Sequence, residues 1–356
     1  MLNRDSSPAS LAKVARKAKV SIATASRALN GSSLTVTKTR ERVLEAARDL
    51  NYKTNRRFRL MGKSHGKQAS ATGNLGILLP TLHEATFAAD PYYGRLFWSM
   101  EHAARQYHRH VLISRLSPEN PAYLPDIVAD AKVDGVLMAD RYEPETIKRI
   151  QALVPAVLVN ALPDGADISV VMPDEASGMV KALDYLRELG HRRIYYFDIQ
   201  ESPSHHHTER LETFVRHCQQ LSLAESRSIV LQQRDKSMLE TVGEQLEAWR
   251  SAGQFPTAVV CGADVYAFAF LEAAQELSIR VPDDLSVIGA DDTLPCEYMR
   301  PRLTSIRQPF EAMGRAAVRM LMEEIEHKEL ARSVQRFDVE LIERKSCSKC
   351  CGNIPA

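Results

Sequence analysis

"LAKVARKAKVSIATASRALNG", residues 11–31, decides how the front of the chain folds. Leu11, Val14, Ala15 and Ala18 recur at helical spacing and make one apolar face, with Ser10 placed to cap it. Lys19 and Val20 break that pattern. Ser21 then caps a second short helix, which turns Ala25, Ala28 and Leu29 inward and stops at Asn30-Gly31. A third helical period from about Thr37 to Leu50 buries Val43, Ala46, Ala47 and Leu50. Three short helices around a small core, the first two joined by a tight turn, predict a helix-turn-helix module.

The outer face of the second helix has its own chemistry. Small inner residues let it sit close against the first helix. The hydroxyls of Ser21, Thr24 and Ser26 and the amide of Asn30 suit phosphate oxygens. Ile22 and Ala23, at the helix start, would point at base edges, and Arg27, one turn later, reaches guanine or phosphate. Charge supports this. Residues 1–63 hold 15 Lys/Arg against 4 Asp/Glu, a net of +11, which leaves −10 on the other 293 of the 356 residues. A small basic head on a large acidic body fits a polyanion-binding module fused to something else.

The length suggests two or three domains, and 44% hydrophobic residues supply ample core. With no secretory h-region and no run of 18 apolar residues, a soluble cytoplasmic protein is expected. Cys218, Cys261 and Cys296 read as small core hydrophobes, and Cys347, Cys350 and Cys351 as a frayed tail with reactive thiols. The Cys347–Cys350 spacing lacks a second ligand pair, so no metal is expected there. His205 to His207 read as a solvated polar loop with Ser202, Pro203 and Ser204.

From residue 74, short apolar runs alternate with helical periods: "NLGILLP", "HVLISRL", "GVLMAD", "AVLVN" and "ISVVMP", then "IYYFDI", "SIVLQQ", "TAVVCGA" and "LSVIGADD". Continuous apolar strands between helices predict doubly wound parallel sheets, in two series of five and of four or more strands. Ligands bind such folds beyond the carboxyl ends of the strands, so two facing lobes would make a cleft. No phosphate-loop lysine motif, dinucleotide fingerprint or nucleophile elbow is present, which argues against an enzyme and against a cofactor.

"LAKVARKAKVSIATASRALNGSSLTVTKTRERVLEAARDLNY" resembles the DNA-binding domain of the lactose/galactose repressor (LacI/GalR) family, densely over residues 10–61. The family's turn glycine is Lys19 here, its V-S before the third helix is Thr35-Val36, and its usual proline is Thr54. The resemblance implies that Ile22, Ala23 and Arg27 read bases and that Ser10, Ser21, Thr24, Ser26, Asn30 and Thr39 anchor phosphates. It makes residues 55–73 a hinge helix and linker that orders on specific DNA. Asn55 and Arg56 would contact DNA there, and Met61 would hold the position that wedges into the minor groove. "LGHRRI", "RVPDDLSVIGADD", "PRLTSIRQPFEAMGRAAVRML" and "VELIERKSC" resemble the family's effector-binding core, which is similar to periplasmic sugar-binding proteins. Motif positions for the effector fall on Asp174, Arg210, Asp264 and Asp291, with Tyr92 or Tyr93 able to stack on a sugar or base. The loop "PTLHEATFAADPYYG" is longer than the family's usual approach to the cleft.

The expected fold is therefore a small all-α helix-turn-helix domain, followed by an α/β periplasmic-binding-protein-like core of two doubly wound parallel-sheet subdomains. The expected domains are 1–54 for the DNA-binding head, 55–73 for the hinge, 74–345 for the core and 346–356 for the tail. Within the core, the N-subdomain is expected at about 74–190 and 306–330, and the C-subdomain at about 191–305 and 331–345. The expected function is a DNA-binding transcriptional regulator, a repressor, governed by a sugar or nucleoside effector. It would bind a palindromic operator in double-stranded DNA as a homodimer, because one recognition helix reads a half-site and the tail "SCSKCCGNIPA" has no heptads. A transport solute-binding protein would share the body but has no use for a basic head. A regulator answering to a protein corepressor also fits the sequence.

Overall fold

The computed structural model describes residues 11–29, 37–50, 71–79, 91–116, 124–162, 165, 167–200, 205–232, 236–327 and 331–350. The chain divides into two compact units: Met1–Thr72 with Asp126–Lys132, and Gly73–Pro125 with Val133–Ala356.

In the first unit, α1 (Leu11–Lys17), α2 (Ile22–Leu29) and α3 (Thr37–Asp49) enclose Val14, Ala15, Ala18, Ala25, Ala28, Val43, Ala46 and Ala47. Alanines dominate because the helices pack close, as the sequence required. Lys17 and Asp49 close the far ends of α1 and α3 with a 2.8 Å ion pair. Lys19 turns the chain between α1 and α2 with φ of 53°, in the left-handed region that glycine favours.

The second unit holds two lobes. The first strings β1 (Asn74–Leu79), α4 (Pro91–Gln106), β2 (His110–Arg115), β3 (Gly135–Ala139), α6 (Pro144–Gln151), β4 (Ala156–Val159) and β5 (Ser169–Pro173); α5 (Asp126–Ala129), between β2 and β3 in sequence, is grouped with the first unit. The second begins with α7 (Glu175–Glu188) and continues through β6 (Ile194–Gln200), α8 (His205–Gln220), β7 (Arg227–Gln232), α9 (Met238–Ser251), β8 (Ala258–Cys261), α10 (Asp264–Glu276), β9 (Ser286–Asp291) and β10 (Thr304–Arg307). The chain then returns through α11 (Phe310–Glu326) and β11 (Val334–Phe337) to the first lobe and ends in β12 (Glu340–Ile342) on the second.

The first sheet has the order β11-β5-β4-β3-β1-β2, parallel throughout. The second has the order β12-β10-β9-β8-β6-β7, with only β12 antiparallel. β3, β4 and β8 are buried along their whole lengths, which is why they read as unbroken apolar runs. Leu75, Ile77, Leu96, Met100, Phe310 and Leu321 centre the first core. The second sheet is covered on both faces, by Phe197, Trp249, Val259 and Phe270 on one side and Met179, Leu183, Tyr196 and Phe214 on the other. Each such side chain contributes about 1.5–3 kcal/mol on full burial.

The chain passes between lobes at Asp174, at Gln308-Pro309 and at Asp338-Val339, which corrects the expected boundaries. α7, expected in the N-subdomain, lays Met179, Ala182, Leu183 and Leu186 against Tyr196, Phe214, Ile288 and Ile306 of the second lobe. β11, expected in the C-subdomain, pairs with β5 from Val334↔Val170 to Phe337↔Pro173. Both sheets present the same aliphatic faces, so periodicity could not assign α7 or β11 to either. Two further expectations are corrected. His205 to His207 open α8 instead of forming a loop. The described part of the tail is strapped down: Ser346 Oγ donates to the Val287 carbonyl, and the Cys350 amide to the Leu189 carbonyl at 2.8 Å. Burial pushes the Cys347 thiol up to about 12, which makes it inert rather than reactive.

α4 and α11 cross where Gly314 faces Ser99. A Cβ on Gly314 would lie 2.6 Å from the Ser99 carbonyl carbon, which is backbone and cannot swing aside. Gly314→Ala is therefore expected to destabilise the core by about 1–3 kcal/mol through overpacking, read as a lower denaturation midpoint. Lys19→Gly is expected to stabilise the head by up to about 1 kcal/mol, since left-handed strain outweighs the added chain entropy. Slower amide exchange in α1 and α2 would register it.

Candidate functional site

In the second unit, polar residues converge where the strands of both sheets end. Arg210, on the first turns of α8, is the hub. Its Nε and Nη2 donate to Glu175 Oε2 and Oε1 at 2.7 and 2.9 Å, a bidentate pair with both side chains buried. Its Nη1 donates to the Gly262 carbonyl just past β8, and Nη2 lies 3.5 Å from Asp291 Oδ1 at the end of β9. Gln308, at the second crossing, donates from Nε2 to Glu175 Oε1 at 3.3 Å. Glu175 opens α7, whose start is fixed by Asp174: its carboxylate accepts the Ser177 amide at 3.0 Å.

The first lobe brings Tyr93, whose hydroxyl donates to Asp140 Oδ2 at 2.8 Å. Tyr92 stands edge-on to Phe310, with ring centroids 5.0 Å apart. Burial, then the carboxylates of Asp291, Glu175 and Asp140, hold the Tyr92 phenol well above its ordinary pKa. Asp140 and Asn160 close β3 and β4 with φ of 67° each, and Asp291 and Asp292 follow β9 with φ of 110° and 48°. Positive φ at the carboxyl ends of three strands, two in the first sheet and one in the second, is the kind of backbone strain that clusters at ligand sites.

Tyr92, Tyr93, Arg210 and Asp291 are thus brought together. Asp264 bonds to a different set of partners. It is buried behind β9 and accepts from the Thr293 amide at 2.7 Å, Thr293 Oγ1 at 2.9 Å, Ser305 Oγ at 2.6 Å and Cys296 Sγ at 3.1 Å. Burial pushes its pKa up to about 6 even against those donors. Its place is that of a brace for the loop after β9. Asp174 caps α7. Sequence reasoning passed over Asp140, Asn160, Tyr142, Glu175 and Gln308. A signal for the first two was present, a polar residue ending an apolar run in "GVLMAD" and "AVLVN", the same mark that singled out Asp291.

In the first unit, Ser21 Oγ accepts the Thr24 amide at 3.0 Å and pairs with Thr24 Oγ1 at 2.8 Å, capping α2. Ile22 is 55% exposed, and Ala23 and Arg27 share its open surface while Ala25 and Ala28 face inward. Thr39 is half-buried on the first turn of α3. Ser26 belongs to α2, but its side chain, like Ser10, Asn30, Asn55, Arg56 and Met61, lies outside the described residues, as does the loop before Pro91. No described helix is long and apolar enough to cross a membrane.

Two family models match: "Bacterial regulatory proteins, lacI family" over residues 10–55 and "Periplasmic binding protein-like domain" over residues 183–347. The HTH-type transcriptional regulator reg1 of Streptomyces lividans is 33% identical, spanning 96% of this chain and 97% of its own. The HTH-type transcriptional repressor CytR of Escherichia coli K12 is 29% identical over 95% of this chain and 96% of its own. Among solved structures, the transcriptional regulator CelR in complex with cellobiose is 25% identical, with a TM-score of 0.66 over 95% of this chain and 99% of that one. The lac repressor dimer, bound to operator and the anti-inducer ONPF, is 25% identical with a TM-score of 0.64 over 96% and 100%.

Removing one partner of the buried Arg210–Glu175 pair leaves an uncompensated charge. Glu175→Gln is expected to lower unfolding free energy by about 3–5 kcal/mol, measured by denaturant titration of the full chain.

Proposed function

The chain belongs to the LacI family of bacterial regulatory proteins, and we propose that it is a repressor whose hold on a two-fold operator is set by a small effector lodged between the lobes of its core. It is a sequence-specific DNA-binding transcriptional regulator with a helix-turn-helix head. The observation that carries the proposal is the outer face of α2: exposed Ile22, Ala23 and Arg27 on a unit whose net charge is +11 over residues 1–63. Ser21, Thr24 and Thr39 flank that face with hydroxyls for phosphate, and Ser10, Ser26, Asn30, Asn55 and Arg56 extend the contact, with Met61 as the minor-groove wedge.

The effector is a sugar or a nucleoside held by Tyr92, Tyr93, Asp140, Asn160 and Asp291, with Arg210 positioning Asp291. The cellobiose complex of CelR supports a sugar, and the repressor CytR supports the sign of regulation. Binding energy that differs between open and closed lobes shifts operator affinity by the same difference. The protein works as a homodimer in the cytoplasm and catalyses no reaction. Trp98 and Ile113 on the first lobe and Leu294 and Tyr298 on the second, all more than half exposed, give the apolar surface that a second copy would cover.

Selection of bound duplexes from a random pool is expected to return a palindrome; a pool left unenriched would overturn the proposal. Arg27→Ala should weaken binding to the selected duplex by about 1–3 kcal/mol without changing ligand binding, as fluorescence anisotropy and calorimetry would report. Ile113→Asp should shift the sedimentation equilibrium from dimer toward monomer.

A further inference from the structure

The turn of the head carries a residue that its backbone disfavours. α1 ends in a Schellman closure: the Val20 amide donates to the Ala15 carbonyl at 3.0 Å, and the Lys19 amide to the Arg16 carbonyl at 3.2 Å. The residue inside such a closure takes left-handed backbone, and Lys19 does so with φ of 53°. Glycine adopts that conformation without the clash that a Cβ brings, and asparagine tolerates it. A lysine there costs the head stability, so the fold alone gives no reason for it.

Nor does the side chain make a contact that would offset the cost. Lys19 is exposed, and its ammonium is in no ion pair or hydrogen bond among the described residues. Lys17 shows the contrast: it pairs with Asp49 at 2.8 Å and ties α1 to α3. The dipole of α1 is already met by Arg16 and Lys17 in its last turn. What Lys19 does have is position. Two residues on, Ser21 caps α2 by accepting the Thr24 amide at 3.0 Å, and the exposed Ile22 and Ala23 follow. The ammonium therefore stands beside the end of α2 that faces a duplex in the reading above, next to hydroxyls that suit phosphate oxygens. A lysine is a compact point charge on a flexible stem, so it can meet a phosphate oxygen whichever base lies nearby.

We propose that Lys19 is a phosphate contact on the operator, an inference that rests on the DNA reading above: the head accepts a strained turn in exchange for one more cation against the duplex backbone. Three variants of the full chain test it, with binding to a selected duplex and to an unrelated one followed by fluorescence anisotropy across a range of salt. Lys19→Gly relieves the backbone and removes the charge. Lys19→Asn removes the charge but keeps a side chain that tolerates the turn. Lys19→Arg keeps the charge. The first two are expected to bind both duplexes several-fold more weakly, by the same factor for each. Their slope of log affinity against log salt should be shallower by about 1 for each head bound. Lys19→Arg should keep the wild-type slope. Lys19→Gly would then bind worse while its α1 and α2 amides exchange more slowly, a combination that a purely structural lysine does not give.

An unchanged slope in Lys19→Gly or Lys19→Asn would overturn the inference. So would a loss confined to the selected duplex, which marks a base contact, or an equal loss in Lys19→Arg. A steep slope shared by the wild type and all three variants leaves the regulator reading standing and removes only this inference. A wild-type chain without salt-dependent duplex binding removes the reading as well.

Discussion

A guanidinium buried against a carboxylate, Arg210 on Glu175, is the constraint around which the core is arranged. Two ions removed from water cost several kcal/mol each, and only a bidentate geometry with every remaining donor engaged can offset that. Arg210 comes close to that condition, with four hydrogen bonds from its five N–H donors to three places in the fold. Glu175 lies at the first crossing between lobes, Gly262 beyond β8, Asp291 beyond β9, and Gln308 joins through Glu175 at the second crossing. A pair that might have been replaced by apolar packing instead fixes how the crossings meet the strand ends.

The lobes themselves touch through contacts that can be exchanged. Arg95 of α4 donates to the Asp292 carbonyl at 3.1 Å, and Arg336 of β11 pairs with Glu209 of α8 at 2.7 Å. Half-exposed pairs of this kind are individually weak. The crossings are firmer: the Asp174 amide donates to the Phe337 carbonyl at 2.8 Å, and Asp338 holds Ser177 and Lys181. The proposed effector coupling asks only that a ligand favour one relative placement of the lobes by a few kcal/mol.

Most of the architecture was legible in the sequence because its physical basis is local. Apolar runs such as "GVLMA" and "AVLV" read as buried parallel strands, and the alanine periodicity of residues 11–29 read as close-packed helices. What escaped was whatever depends on distant partners. Nothing local to "DEASG" says that Glu175 meets Arg210 thirty-five residues on, or that Asp264 turns away to collect Thr293, Cys296 and Ser305. The cysteine-bearing tail looked frayed because it is polar. It is held by backbone bonds and by His191, whose Nε2 lies 3.1 Å from the Ser348 carbonyl, and composition carries no trace of these.

The chain separates its charge, with a net +11 over residues 1–63 and −10 over the other 293. The most direct measurement is operator affinity of the full chain across a range of salt, with and without a compound that the cleft binds. Several phosphate contacts should give a steep linear fall of log affinity with log salt, and the compound should displace that line. A flat line would contradict the assignment of the head, and coincident lines would contradict the coupling between the cleft and DNA.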